Sequence, residues 1–262
     1  MSPATDSAGQ PFAGRSFEAN PFQGDTGEAD PTLWQALSEF AKARDTREVT
    51  GITEAFQKTI EALQSARVLV PLIAEAGDLG LTEEGKVVEK TQELAIVHLE
   101  GPDGRMVAPV FSSVATMTAW RESARPIPVD ASRAALATAA EGVALMVLDP
   151  GSPHSLTLRR GALQAIATGE TYVSPASDPE VVQALGVALE VHGDVVVSYE
   201  CHRGDPGHQL QGPEVVVWLS LVPGLQAEQL QAMLGAISQA WSEDLLLQSR
   251  VDGLGIKVLL AS

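Results

Sequence analysis

The sequence predicts an α+β fold, with a mixed-sheet N-terminal domain over residues 30–170 and a ferredoxin-like C-terminal domain over 171–262. Three observations lead there. Short runs of branched apolar residues, at 67–74 and 143–148, alternate with amphipathic helical stripes, so neither element type accounts for the chain alone. The four turn-forming residues Gly101-Pro102-Asp103-Gly104 separate two apolar runs in the manner of a β-hairpin. From Thr171 onward the elements follow the order β-α-β-β-α-β, which packs two helices on one face of a four-stranded antiparallel sheet.

Residues 1–29 are rich in Gly, Pro, Ser and Asp and read by composition as a flexible arm, although Phe12, Phe17 and Phe22 offer three docking points at five-residue spacing. Asp30-Pro31 then combines a helix cap with proline at the first helical position, and Leu33, Trp34, Leu37, Phe40 and Ala41 follow at helical spacing. A second stripe runs through Ile52, Ala55, Phe56, Thr59, Ile60 and Leu63. Residues 67–74 read as a buried strand in which Pro71 signals an edge or a bulge, and 77–90 as a polar loop. The hairpin pairs 94–99 with 105–111.

Ser112 or Ser113 caps a helix carrying Val114, Met117 and Trp120, with Trp120 expected in the core. Pro126 and Pro128 hold 126–129 extended, since each proline drives its predecessor out of the helical region. Asp130 or Ser132 caps an alanine-rich helix that stops at Gly142, a strand covers 143–148, and the turn at 150–153 reverses it into 155–158. A short helix over 161–167 ends at Gly169. In the C-terminal domain, strands are expected at 171–174, 194–201, 214–221 and 254–261, with helices after Asp178-Pro179 and over 226–241.

Composition narrows the function classes. The net charge is -17, and residues 178–262 alone carry 3 basic against 11 acidic groups, a net of -8. Nucleic-acid and anionic membrane partners are therefore excluded as expectations, because an acidic surface repels phosphate. The longest apolar runs span about six residues, far short of the roughly 20 needed to cross a membrane. The first residues lack the basic start and apolar stretch of a secretory signal, and Cys201 has no intrachain partner, so a cytoplasmic setting is expected.

Reacting groups are sparse. Cys201 and His202 are neighbours on a strand and point to opposite faces, and His192 lies about 30 Å from His202 along it. His202, Asp205 and His208 are left as the one close set in the 202–213 loop, without a metal-ligand spacing to support it. Gly253-Leu254-Gly255 lacks the third glycine of a dinucleotide fingerprint and opens a strand, so it reads as a turn. No metal and no cofactor is expected. The strand-end turn with Asp149, Gly151, Ser152 and His154 is the candidate binding site, although the same residue types are what a tight turn requires.

Several segments together carry a family resemblance: Gly14-Arg15-Ser16-Phe17, Asn20-Pro21-Phe22-Gln23-Gly24-Asp25, Arg67-Val68-Leu69-Val70-Pro71, residues 90–97, Pro109-Val110-Phe111-Ser112-Ser113, Ala119-Trp120, Arg125-Pro126-Ile127-Pro128-Val129 and Leu148-Asp149-Pro150-Gly151. With these the chain resembles the SseB-like family, particularly its actinobacterial members, over residues 14–168. The likeness is looser beyond, where Val251-Asp252-Gly253-Leu254 is the clearest echo. The resemblance implies an α+β N-terminal domain and a docked arm, and it lends no catalytic residue. The leading expectation is a non-enzymatic interaction or regulatory protein that binds a protein partner or a second copy of itself. The alternative is a small-molecule sensor, for an amino acid, at the domain junction near 149–154. An enzyme is the third reading and requires a concave site holding an acid or base of perturbed pKa.

Overall fold

The computed structural model describes residues 21–47, 49–75, 79–81, 87–89 and 93–260. Helices α1 (Pro31–Thr46) and α2 (Val49–Ser65) lead the fold. The Asp30 carboxylate accepts from the Thr32 and Leu33 amides at 2.9 and 3.0 Å, a cap worth about 1 kcal/mol. Leu33, Leu37, Phe40 and Ala41 are buried as their spacing requires, but Trp34 departs from the stripe and is 41% exposed. Its Cα lies about 100° around the helix from Leu33, enough to carry the indole to the rim of the apolar face.

Strand β1 (Arg67–Glu75) is central, with β4 (Glu93–Ile96) on one side and β7 (Arg125–Asp130) on the other. The edge or bulge expected from Pro71 is corrected here. Leu69 exchanges both backbone hydrogen bonds with Phe111, at 2.8 and 2.9 Å, so the odd-numbered residues of β1 turn their polar groups away from β7. Pro71 therefore faces the interval between Phe111 and Ile96, where its missing N–H leaves no ladder bond unmade. Pro126 and Pro128, opposite Pro71 and Leu69, point to the outer side of β7 and blunt that edge.

Strands β2 (Leu79–Leu81) and β3 (Val87–Glu89) pair antiparallel where a polar loop was expected. The hairpin at Gly101–Gly104 is present but short: β5 (Leu99–Glu100) pairs with β6 (Met106–Val110), while the preceding residues leave to join β1 as β4. Strands β8 (Met146–Leu148) and β9 (Leu156–Leu158) complete the order β5-β6-β8-β9, in which β6 and β8 are parallel. Their crossover contains α3 (Val114–Trp120), β7 and α4 (Ala131–Ala140). With α5 (Arg160–Thr168), helices α1, α2 and α4 cover the sheet over a core that includes Phe40, Phe56, Ile60, Leu148 and Leu158.

The described end of the arm lies against this body. Arg67 donates to both Asp25 oxygens, at 2.5 and 2.9 Å, and the Val114 amide donates to Gly27 O at 2.8 Å. Gly27 has φ +78, and a Cβ there would stand 2.6 Å from Val114, so the approach requires glycine. Phe12 and Phe17 lie outside the described residues.

Beyond residue 170 the ferredoxin-like expectation is corrected. Residues 171–174 form no strand; a 3-10 turn at Pro175–Ser177 leads into α6 (Pro179–Glu190). The sheet is three-stranded, β10 (Val196–Arg203), β11 (Val215–Leu221) and β12 (Leu254–Leu260), in that order. A ferredoxin-like sheet would seat its first strand between β11 and β12. Without it, β12 pairs directly with β11, and the pair is parallel because α7 (Ala227–Glu243) and α8 (Leu245–Arg250) carry the chain back across the sheet. Val181, Leu185, Val217, Leu219, Ile237 and Trp241 form this part's core, where the Trp241 indole donates to Leu185 O at 3.1 Å.

Candidate functional site

The turn between β8 and β9 is built around Asp149. The residue is fully buried, has φ +50, and accepts three hydrogen bonds: from the Ser112 amide at 2.8 Å, the Ser112 hydroxyl at 2.6 Å and the Thr116 hydroxyl at 2.8 Å. Its own amide donates to Val110 O at 2.9 Å. Asp149 thus ties the ends of β6 and β8 to the first turn of α3, whose cap is Ser113 with Thr116 in a reciprocal box. Its carboxylate contacts are all internal, so within this structure Asp149 braces the turn.

The other three candidates do reach the surface of one groove. Gly151, at φ +79, Ser152 and His154 line a cavity of about 600 Å³ together with Trp34 and Trp120. The His154 ring stands 4.5 Å from the Trp34 indole, and Trp120 leans on Phe111 at 5.2 Å. The Ser152 hydroxyl accepts from the His154 amide at 3.1 Å, and Arg44 donates to Ser155 O at 2.8 Å and Pro153 O at 2.5 Å from behind. All the lining residues fall between 34 and 154, so the groove lies beside the contact between the two parts of the chain rather than within it. Trp34 was missed as a groove residue. Its place one residue beyond Leu33, at the margin of the stripe, was the available signal.

The contact between the two parts is a cluster of charge. Arg159, 3% exposed, donates to Asp205 at 2.7 Å, to Asp252 at 2.8 Å and to Gly212 O at 2.9 Å, and Arg105 donates to both Asp252 oxygens at 2.9 Å. The Asp252 amide donates to the Glu214 carboxyl at 2.7 Å. Burial pushes the Glu214 pKa up to about 7, against the pull of that bond, and the nearby Asp252 charge raises it further. His208, at φ +50, stacks on Phe56 with ring centroids 3.6 Å apart; burial drives its pKa down to about 3, so the ring is neutral.

The 202–213 set does not converge. Asp205 is held by Arg159, His208 lies under Phe56, and His202 pairs with Glu200 at 3.0 Å above Trp218. Among the described residues no group of three His, Cys, Asp or Glu side chains stands at metal-binding distance. Cys201 packs toward the core, where burial raises its thiol pKa, on the opposite side of β10 from His202.

A family model described as SseB protein N-terminal domain matches residues 33–165, from the first turn of α1 into α5. Both tryptophans and the whole 149–154 turn fall inside that span. No curated protein and no solved structure matches the chain.

Proposed function

We propose, for a chain that belongs to the SseB family, a non-enzymatic cytoplasmic interaction role in which the Trp34–Trp120–His154 groove receives an extended segment of a partner protein. The observation that carries this reading is the presentation of two indoles and an imidazole on a frame fixed by the buried Asp149 bonds. Large, preorganised aromatic anchors dominate protein recognition because they bury much area at small entropic cost. The groove is not enclosed, which suits a passing chain, whereas small-molecule sites enclose most of their ligand. The polar groups offered are few, Ser152, Thr116 and His154 among them, so the inserted residues are apolar. A net charge of -17 favours basic residues flanking that insert, through faster encounter.

Twelve-residue extended peptides with apolar centres and either lysine or glutamate flanks test this by fluorescence titration against the full chain. The lysine-flanked set is expected to bind, and Trp34→Ala to weaken it by about tenfold or more. Equal binding by Trp34→Ala, or no binding by either set at millimolar concentration, would overturn the reading.

A further inference from the structure

We propose that the cleft between α2 and the end of β10 is a binding site for a short-chain monocarboxylate. Arg203, the last residue of β10, lines this cavity of about 220 Å³ with Thr53 and Gln57 of α2 and Tyr172, Ser174 and Ser177 of the connecting segment. Its Nε donates to the Ser174 hydroxyl at 3.1 Å and its Nη1 to the Thr53 hydroxyl. Both acceptors are neutral. Among the described residues no carboxylate lies within ion-pair distance of Arg203, although Arg159 at the same joint takes two. A guanidinium has five N–H donors in a fork that matches a carboxylate, and the Nη2 side of this one has no protein acceptor among the described residues. Partial burial pulls the Arg203 pKa down, a cost that a bound anion relieves.

The surroundings define the ligand. The lining contains no carboxylate to pair an ammonium, which disfavours the zwitterion of an amino acid. One positive charge in the lining suits a monoanion better than a phosphate dianion. The stacked rings of Phe56 and His208 form a wall for a short carbon chain, with His208 neutral and contributing no charge. Because α2 lies on one side and β10 on the other, occupancy draws the two parts of the chain together.

Thermal unfolding of the full chain at pH 7 tests the site, with acetate, pyruvate, glycine or inorganic phosphate added at matched ionic strength. Acetate or pyruvate at about ten times its Kd is expected to raise Tm by about 3 °C. Glycine and phosphate are expected to do less at equal concentration. Arg203→Gln is expected to abolish the shift, and Gln57→Glu, which places a negative charge in the cleft without touching Arg203, to abolish it too. Trp34→Ala is expected to keep it, which separates this site from the groove. An unshifted wild type, a shift that survives in both cleft variants, or a larger response to glycine or phosphate would overturn the proposal.

Discussion

Two buried aspartates, Asp149 and Asp205, are stabilised in different ways, and the contrast separates a local brace from a joint between distant segments. Asp149 is surrounded by one amide and two hydroxyls, all neutral and all within the N-terminal part. Asp205 meets the Arg159 guanidinium from across the joint, along with the Gln209 and Leu210 amides of its own loop. Neutral donors fix a local shape whose strength depends little on other charges. A buried ion pair joins distant segments, and its loss leaves an uncompensated charge.

The largest effect is therefore expected at the joint. Arg159→Ala strands the buried Asp205 and leaves the buried Asp252 carboxylate to Arg105, and is expected to cost about 3–5 kcal/mol in denaturant unfolding. A loss below about 1 kcal/mol would show that the cluster is not a joint at all.

Next comes pH, where two groups oppose each other. Glu214 has a folded pKa of about 7 against an ordinary 4.5, so the folded state holds the proton more tightly and stability falls as pH rises between those values. His208 has a folded pKa of about 3 against 6.5, so the unfolded state binds the extra proton and stability rises with pH over that span. Between about 4.5 and 6.5 the two nearly cancel. Stability of Glu214→Gln is expected to climb through that window, and that of His208→Phe to fall, while the wild type stays nearly flat. Parallel profiles for the three proteins would contradict the paired burial.

At the turn the change is smaller. Asp149→Ala is expected to cost about 2–3 kcal/mol, from stranded donors and from alanine at positive φ. Asp149→Asn, which tolerates that conformation and keeps one acceptor oxygen, is expected to cost less, and the order of the two in chemical denaturation checks the account. Smallest is Trp34→Ala, expected to change stability by less than about 1 kcal/mol because the indole is 41% exposed; a larger loss would mean that Trp34 belongs to the core and not to the groove.

Local chemistry made much of this legible from the sequence. Asp30-Pro31, Asp178-Pro179, Ser113 and Gly169 each determine a helix end through their own backbone and side chain, and the structure places those ends accordingly. Pairings between distant segments were harder to read. Residues 171–174 have a β-compatible composition but reach no sheet edge, and Pro71 is tolerated centrally only because Phe111 and β4 leave an interval beside it. For the candidate site, turn chemistry pointed to Gly151, Ser152 and His154, and these three line the groove. Asp149's burial, Trp34's exposure and the company around Arg203 depend on packing between elements far apart in the chain, which no local pattern encodes.

The chain's four tryptophans supply a direct test of where a partner segment docks. Indole N–H signals followed by NMR while a lysine-flanked apolar peptide is added should move for Trp34 and Trp120 and stay fixed for Trp218 and Trp241. Movement confined to Trp218, or no movement at saturating peptide, would contradict the groove as the interaction site.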